Sequence, residues 1–272
     1  MSKLLSTSLF EKDKKRFLDI AELACSVQAN YWGNSIIGEN IFKVISSFAN
    51  KKEIPLELLS YPFKDNELWA FTLKKKGTVF VCINSDLPVS KQVFSAAHEL
   101  YHIYRYSEHM DEPDTGIESL LDSQTADEGA QTREDIEANA FAAILMMPEN
   151  LLNDYIAMFN IAKDDPDVDD ILTLMDIFGI PYKATVLRLY ESKLINKTKA
   201  TKLLAEPAET VEKRSSLTGK AKRWLRPAFG RENLGSLLDD FDFNRTHHLL
   251  TSTREAEDDI YIKEVMESFN KE

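Results

Sequence analysis

Apolar residues recur at helical spacing over most of the chain and at strand spacing in one region. In "KKRFLDIAELACSVQANYW", Phe17, Ile20, Leu23 and Ala24 share one side of a helix. In "GENIFKVISSFAN", Ile41, Val44, Ile45 and Phe48 do the same, and Pro55 and Pro62 then break the helical pattern. "LWAFTL" and "TVFVCIN", rich in aromatic and β-branched residues and separated by "KKKG", predict a hairpin. "SDLPVSKQVFSAAHELYHIYRY" predicts a loop and then a helix. Ser90 is its candidate N-cap, and Val93, Phe94, Ala97, Tyr101 and Tyr104 form its apolar side. Residues 107–133 are polar and acidic and predict a loop with one short helix over 117–121. "EDIEANAFAAILMM" predicts a helix stopped by Pro148, and "PENLLNDYIAMF" a further one with proline in its first turn. "DVDDILTLMDIFGIPYKATVLRLYESKLI" predicts two helices about a Gly179-Ile180-Pro181 turn. Residues 205–220 read as a linker or exposed connection. The tail carries the basic stretch "AKRWLRPAFGR" and a final amphipathic run.

The pattern is that of an α+β protein, mainly helical with a small sheet. With 272 residues the chain has room for one large domain, or a medium and a smaller one. A 43% hydrophobic and 29% charged composition permits a sizeable core. The net charge of −12 argues against direct nucleic-acid binding as the main role, because phosphate contacts need clustered Lys and Arg. Cys25 and Cys82 lie in apolar stretches and are expected to be buried thiols, with no disulfide framework. No window approaches the ~18 apolar residues of a membrane span, and the first residues lack the pattern of a secretory leader. The expectation is a cytoplasmic protein with no membrane partner; composition says nothing of oligomeric state.

The chemistry concentrates in "SAAHELYHIYRY". A helix turns ~100° per residue, so residues four apart lie one turn along on nearly the same side. His98 and His102 can therefore aim two imidazoles at one point, as a tetrahedral zinc requires of two ligands. Glu99, beside the first, is placed to act as general base on a metal-bound water, the H-E-x-x-H arrangement of zinc metalloproteases. The flanks Phe94, Ala96, Ala97, Leu100 and Ile103 are apolar, which weighs against two histidines on a merely wet face. A third protein ligand should follow, leaving one position for water. His109 lies in the loop past the helix, and His247 and His248 are remote in the chain. The acidic helix "REDIEANAFAAILMMP" offers Glu134, Asp135 and Glu137. Asp135 shares a side with Asn139, Ala142 and Met146, whereas Glu137 lies ~200° around with Phe141 and Ile144. That spacing favours Asp135, with Asn139 orienting a ligand or substrate from behind. Glu134 and Glu137 remain substitutes.

"AAHELYHIYRY", an acidic loop and "DIEANAFAAILMMP" together resemble the ImmA/IrrE family of metallopeptidases. The stretches "GTVFVCIN" and "FGIPYKATVLRLYESKLI" are similar to parts of that family as well, so the resemblance covers roughly Leu68–Ile195. It implies a zinc-type metallo-endopeptidase of gluzincin-like arrangement, a small, mostly antiparallel sheet packed on the HExxH helix. His98 and His102 would be ligands and Glu99 the base, with zinc, manganese or another divalent ion as cofactor. The family's third ligand, a Glu, aligns with Asp135, one methylene shorter. The resemblance also implies a protein substrate, typically a helix-turn-helix repressor in a stress, phage or mobile-element switch. Tyr101, Tyr104 and Tyr106 are candidate oxyanion donors, but aromatic residues on such a helix are mostly for packing. The expected division is a metallopeptidase domain over 1–205 and a helical C-terminal extension over 206–272. The alternative reading is a metal-containing regulator that does not cleave and binds a repressor, or DNA, through the helices around Gly179. Lys183, Arg188 and Lys193 would then supply the cations, though they stand among apolar residues.

Overall fold

Two positive-φ residues, Lys76 (φ 52°) and Gly77 (φ 78°), close the tight turn between β2 (Leu68–Lys75) and β3 (Thr78–Asn84). Both central residues of such a two-residue hairpin turn need φ > 0, and "KKKG" supplies the glycine for one of them. The predicted hairpin is therefore present, with Lys75 opposite Thr78. The computed structural model describes residues 3–63, 65–108, 116–129, 132–219 and 233–269. Among these, the sheet has four strands in the order β1-β3-β2-β4. β1 (Leu56–Tyr61) runs parallel to β3, and β4 (Gly116–Asp122) antiparallel to β2, so the α+β expectation and its mostly antiparallel sheet both hold.

β1 and β4 were not foreseen. Pro55 and Pro62 end helical periodicity, but the six residues between them suit an edge strand, where proline is tolerated at the ends. The segment 117–121, expected as a short helix, is strand, because pairing with β2 outweighs the helical preference of "ESLL".

Two short helices, α1 (Lys3–Thr7) and α2 (Leu9–Lys12), and the long α3 (Lys14–Tyr31) precede α4 (Ile41–Lys51). The HExxH helix α5 (Val89–Ser107) crosses one face of the sheet, and α6 (Arg133–Met146) packs on both α5 and α3. Pro88, not Ser90, caps α5; Ser90 is buried within its first turn. The core runs through Phe48, Trp69, Tyr101, Phe141 and Phe178, each buried almost completely. Cys82 is buried as expected. Cys25 is exposed: α3 turns Ile20, Ala24 and Val27 inward, and one residue past Ala24 lies ~100° away.

After α7 (Glu149–Met158), the predicted helix pair is α8 (Val168–Phe178) and α9 (Tyr182–Glu191). Asp167 and Asp170 form a reciprocal capping box at the start of α8, and Gly179 ends it in the left-handed conformation that glycine adopts without strain. α10 (Lys197–Leu204) follows, and the expected linker is a helix, α11 (Ala208–Leu217). It is started by Pro207 and held to α8 by the Arg214–Asp169 pair and by Val211 against Leu172 and Met175. Two more helices, Leu237–Thr246 and Ser252–Phe269, complete the described chain. The basic stretch 221–231 lies outside the described residues. No helix among those described is long and apolar enough to cross a membrane.

Within α9, Arg188 is 3% exposed and its Nε donates to the Met147 carbonyl oxygen (3.0 Å), so it serves packing and not a nucleic-acid surface. Glu191 is also buried, with Oε2 lacking a hydrogen-bond partner, and burial raises its pKa to about 7 despite Arg188 nearby. A raised carboxyl pKa favours the protonated folded state. The resulting penalty starts above the unfolded value near 4.5, grows as pH rises, and is complete above about pH 7. Glu191→Gln is therefore expected to stabilise the protein at pH 8 by up to about 3 kcal/mol, with the gain vanishing below pH ~4.5. Urea denaturation across that range measures it, and a gain independent of pH would contradict the account.

Candidate metal centre

α5 is buried along most of its length because it lies between the sheet and α6. His98 and Glu99 are fully buried and His102 is 5% exposed. One helical turn brings the two Nε2 atoms within 3.1 Å of each other. Asp135 Oδ1 lies 3.8 Å from each of them. A triangle with sides of 3.1, 3.8 and 3.8 Å has its corners about 2.1 Å from its centre, the length of a zinc–imidazole bond. Among the described residues this is the group of His, Cys, Asp and Glu side chains whose atoms converge closely enough to hold a metal ion.

The flanking hydrogen bonds set which nitrogen carries the proton. Asn139 Nδ2 donates to the Thr125 carbonyl oxygen (3.2 Å), which turns its Oδ1 toward His98 Nδ1 at 2.9 Å. His102 Nδ1 is 3.1 Å from Glu134 Oε1. Both rings thus carry a proton on Nδ1 and present a bare lone pair at Nε2. Two facing lone pairs beside a carboxylate repel one another unless a cation lies between them, so these residues fit a divalent ion. Burial and the neighbouring His102 push the pKa of His98 well down. Burial opposes charge on His102 as well, but the hydrogen bond to Glu134 and the charges of Glu99 and Asp135 prevail and raise it. A proton and a divalent ion therefore compete for this position.

The three acidic candidates have separate places. Asp135 sits in the first turn of α6, where the N-cap Thr132 accepts from its backbone N–H (3.1 Å) and donates its hydroxyl to Oδ2, leaving Oδ1 for the histidines. Glu134 supports His102. Glu137 faces away: Tyr101 Oη (2.6 Å) and Arg16 (2.7 Å) donate to its Oε2, and Arg133 Nε (3.1 Å) to its Oε1. Burial works against its charge, yet these donors hold its pKa down at about 2. Tyr101 thus spends its hydroxyl on Glu137, Tyr104 on Glu108 (2.8 Å), and Tyr106 stacks under Lys74. His109 lies outside the described residues. His247 stacks on Phe243 in the C-terminal region.

Glu99, between the two histidines on α5, is braced against the sheet while it stays close enough to His102 and Asp135 to feel their charges. Its Oε2 accepts from Thr72 Oγ1 (2.7 Å) and from Ser119 Oγ, a cross-strand pair on β2 and β4. Its Oε1 is buried with no hydrogen-bond partner. Burial raises its pKa, partly offset by His102 and the two hydroxyls. Thr72, Ser119, Thr132 and Arg16 had no sequence signal pointing to the site. The one available hint was Thr72 itself, a small polar residue on the inward side of β2 that it shares with Ala70 and Lys74.

Facing imidazoles, a nearby carboxylate and a partnerless glutamate oxygen are a side-chain set that fits a metallopeptidase. Residues 52–190, half of the chain, match the model of the peptidase M78 family, described as the IrrE N-terminal-like domain. The chain belongs to that family, which implies a divalent metal and a protein substrate. The match begins before the "LWAFTL" strand and so takes in β1. No curated protein matches the chain.

Proposed function

We propose that the chain is a zinc-type metallo-endopeptidase in which His98, His102 and Asp135 hold the ion and Glu99 is the general base. The observation that supports this reading most is the pairing of two lone pairs, fixed by Asn139 and Glu134, with Asp135 Oδ1 at 3.8 Å from both. A bound divalent ion supplies a Lewis acid that polarises the scissile carbonyl and makes water acidic near neutral pH. Glu99 Oε1 takes the proton of the attacking water and returns it to the leaving amine, while Thr72 and Ser119 hold Oε2 still. The surrounding burial disfavours charge on Glu99 and so makes it a stronger base than an exposed carboxylate. Among the described residues β4 has no strand beyond it, so an extended segment of substrate can add there by main-chain hydrogen bonds, beside Ser119.

The substrate in this reading is a partner protein in the cytoplasm, such as a helix-turn-helix repressor in a stress, phage or mobile-element switch. The test is incubation of the metal-loaded chain with regulators encoded beside its gene, followed by mass spectrometry of fragments. A discrete cut that chelation and Glu99→Gln both abolish is expected. Fragments that persist in the Glu99→Gln variant would overturn the assignment.

A further inference from the structure

The sheet has a second face, away from α5. Along β2, Thr72 reaches Glu99 and Lys74 lies over the Tyr106 ring, both on the α5 side. Phe71 and Leu73 alternate with them and turn outward. The register places Cys82 beside Phe71 and Phe80 beside Leu73, so these side chains form one apolar floor. The C-terminal segment is tied across its edge. Ser60 and Asn233 exchange two backbone hydrogen bonds of 2.7 Å, and Asn233 Nδ2 donates to the Leu58 carbonyl oxygen (2.9 Å). The Ser252–Phe269 helix then lays Tyr261, Ile262 and Val265 over the floor.

The roof covers only part of the floor. Between them lies a pocket of about 320 Å³, open to solvent on one side and adjoining a cleft of about 600 Å³ that shares Tyr61, Phe71, Tyr261 and Val265. Small-molecule sites begin near ~300 Å³, so the space is large enough for one. An apolar pocket offers water no partners, so its occupant must be apolar where it touches the walls. Lys75 is the one charged side chain among the described residues that line this pocket, whereas Asp65, Asp86 and Glu264 line the adjoining cleft, so an acidic group is favoured at the Lys75 end alone. The Tyr61 hydroxyl and Cys82 thiol interact with each other. The lining therefore asks for an apolar body with a single acidic group.

We propose that this pocket is a binding site for a small amphiphile, an aromatic or branched apolar body seated on Phe71 and Phe80 with one acidic group directed to Lys75. The site is separate from the metal cluster, and β2 lies between them: Phe71 and Leu73 face the ligand while Thr72, between them, holds Glu99.

The test uses the full chain and two fluorescent probes, the acidic 1-anilinonaphthalene-8-sulfonate and the neutral N-phenyl-1-naphthylamine. Both are expected to bind saturably, one per chain. Val265→Trp and Leu73→Trp, which fill the space, should each weaken both probes by roughly tenfold or more. Lys75→Gln should weaken the acidic probe by about fivefold and leave the neutral one unchanged. Circular dichroism checks that the variants fold. If neither tryptophan variant does, hydrogen exchange of the wild-type chain with bound probe decides. Added protection confined to β2 and residues 261–265 supports the site, and protection elsewhere overturns it. Unsaturable binding, or equal affinity in folded tryptophan variants, also overturns it, and equal loss of both probes in Lys75→Gln removes the acidic group from the proposal. These readouts need no peptidase activity, so their failure is distinct from failure of the proposed function.

Discussion

Glu99→Gln is expected to keep its metal and lose cleavage by roughly 10²–10⁴-fold, the usual contribution of a positioned acid–base group. The substitution preserves shape. A glutamine carbonyl oxygen can still accept from Thr72 and Ser119, which places the amide nitrogen where Oε1 now lies without a partner. An amide there cannot accept a proton, so only proton transfer is removed. The fold should not suffer, because burial already disfavours the charge that glutamine lacks. Single-turnover cleavage of the identified partner gives the rate, and elemental analysis gives the metal content. A rate within a fewfold of wild type would remove Glu99 from the mechanism. Loss of the metal would show instead that Glu99 belongs to the ion's own coordination.

The second large effect separates the three carboxylates at the start of α6. On the proposed reading, Asp135→Ala removes a ligand and should weaken metal binding by more than ~100-fold, beyond the usual cost of losing a supporting group. Glu134→Gln should cost roughly 10–100-fold, because it only loosens the hold on the His102 proton at Nδ1. Glu137→Gln should leave metal affinity close to wild type and act on stability. Its pKa of about 2 means the Arg16 and Arg133 contacts stabilise the fold fully above the unfolded value near 4.5. That contribution is lost as pH falls toward 2, so the melting-temperature gap between Glu137→Gln and wild type should close over that window. Competition titration with a chromogenic chelator ranks the three affinities. If Glu134→Gln loses more than Asp135→Ala, the third ligand is misassigned.

Helical elements were legible because their signals are local. α3, α4, α5, α6, α8 and α9 each show apolar residues repeating within a few positions, and α8 and α9 carry their own punctuation at Gly179. The β2–β3 hairpin was legible for the same reason, through its turn. β1 and β4 were not, since each becomes a strand only by pairing with a strand that lies far from it in the chain. Likewise α11 is polar in composition and is helical in contact with α8.

For the site, the sequence by itself determined that His98, Glu99 and His102 share one helical turn, and that Asp135 and Asn139 share one side of the next long helix. Both follow from the helix period, which needs no partner. Only the tertiary structure decided that Asp135 meets the histidine pair while Glu134 braces His102 and Glu137 binds Arg16. Adjacent carboxylates on one helix leave it in different directions, and which of them meets α5 depends on how α6 packs between α5 and α3. The same packing brings Thr72 and Ser119 from two strands onto Glu99, a convergence that no spacing within a single element could encode.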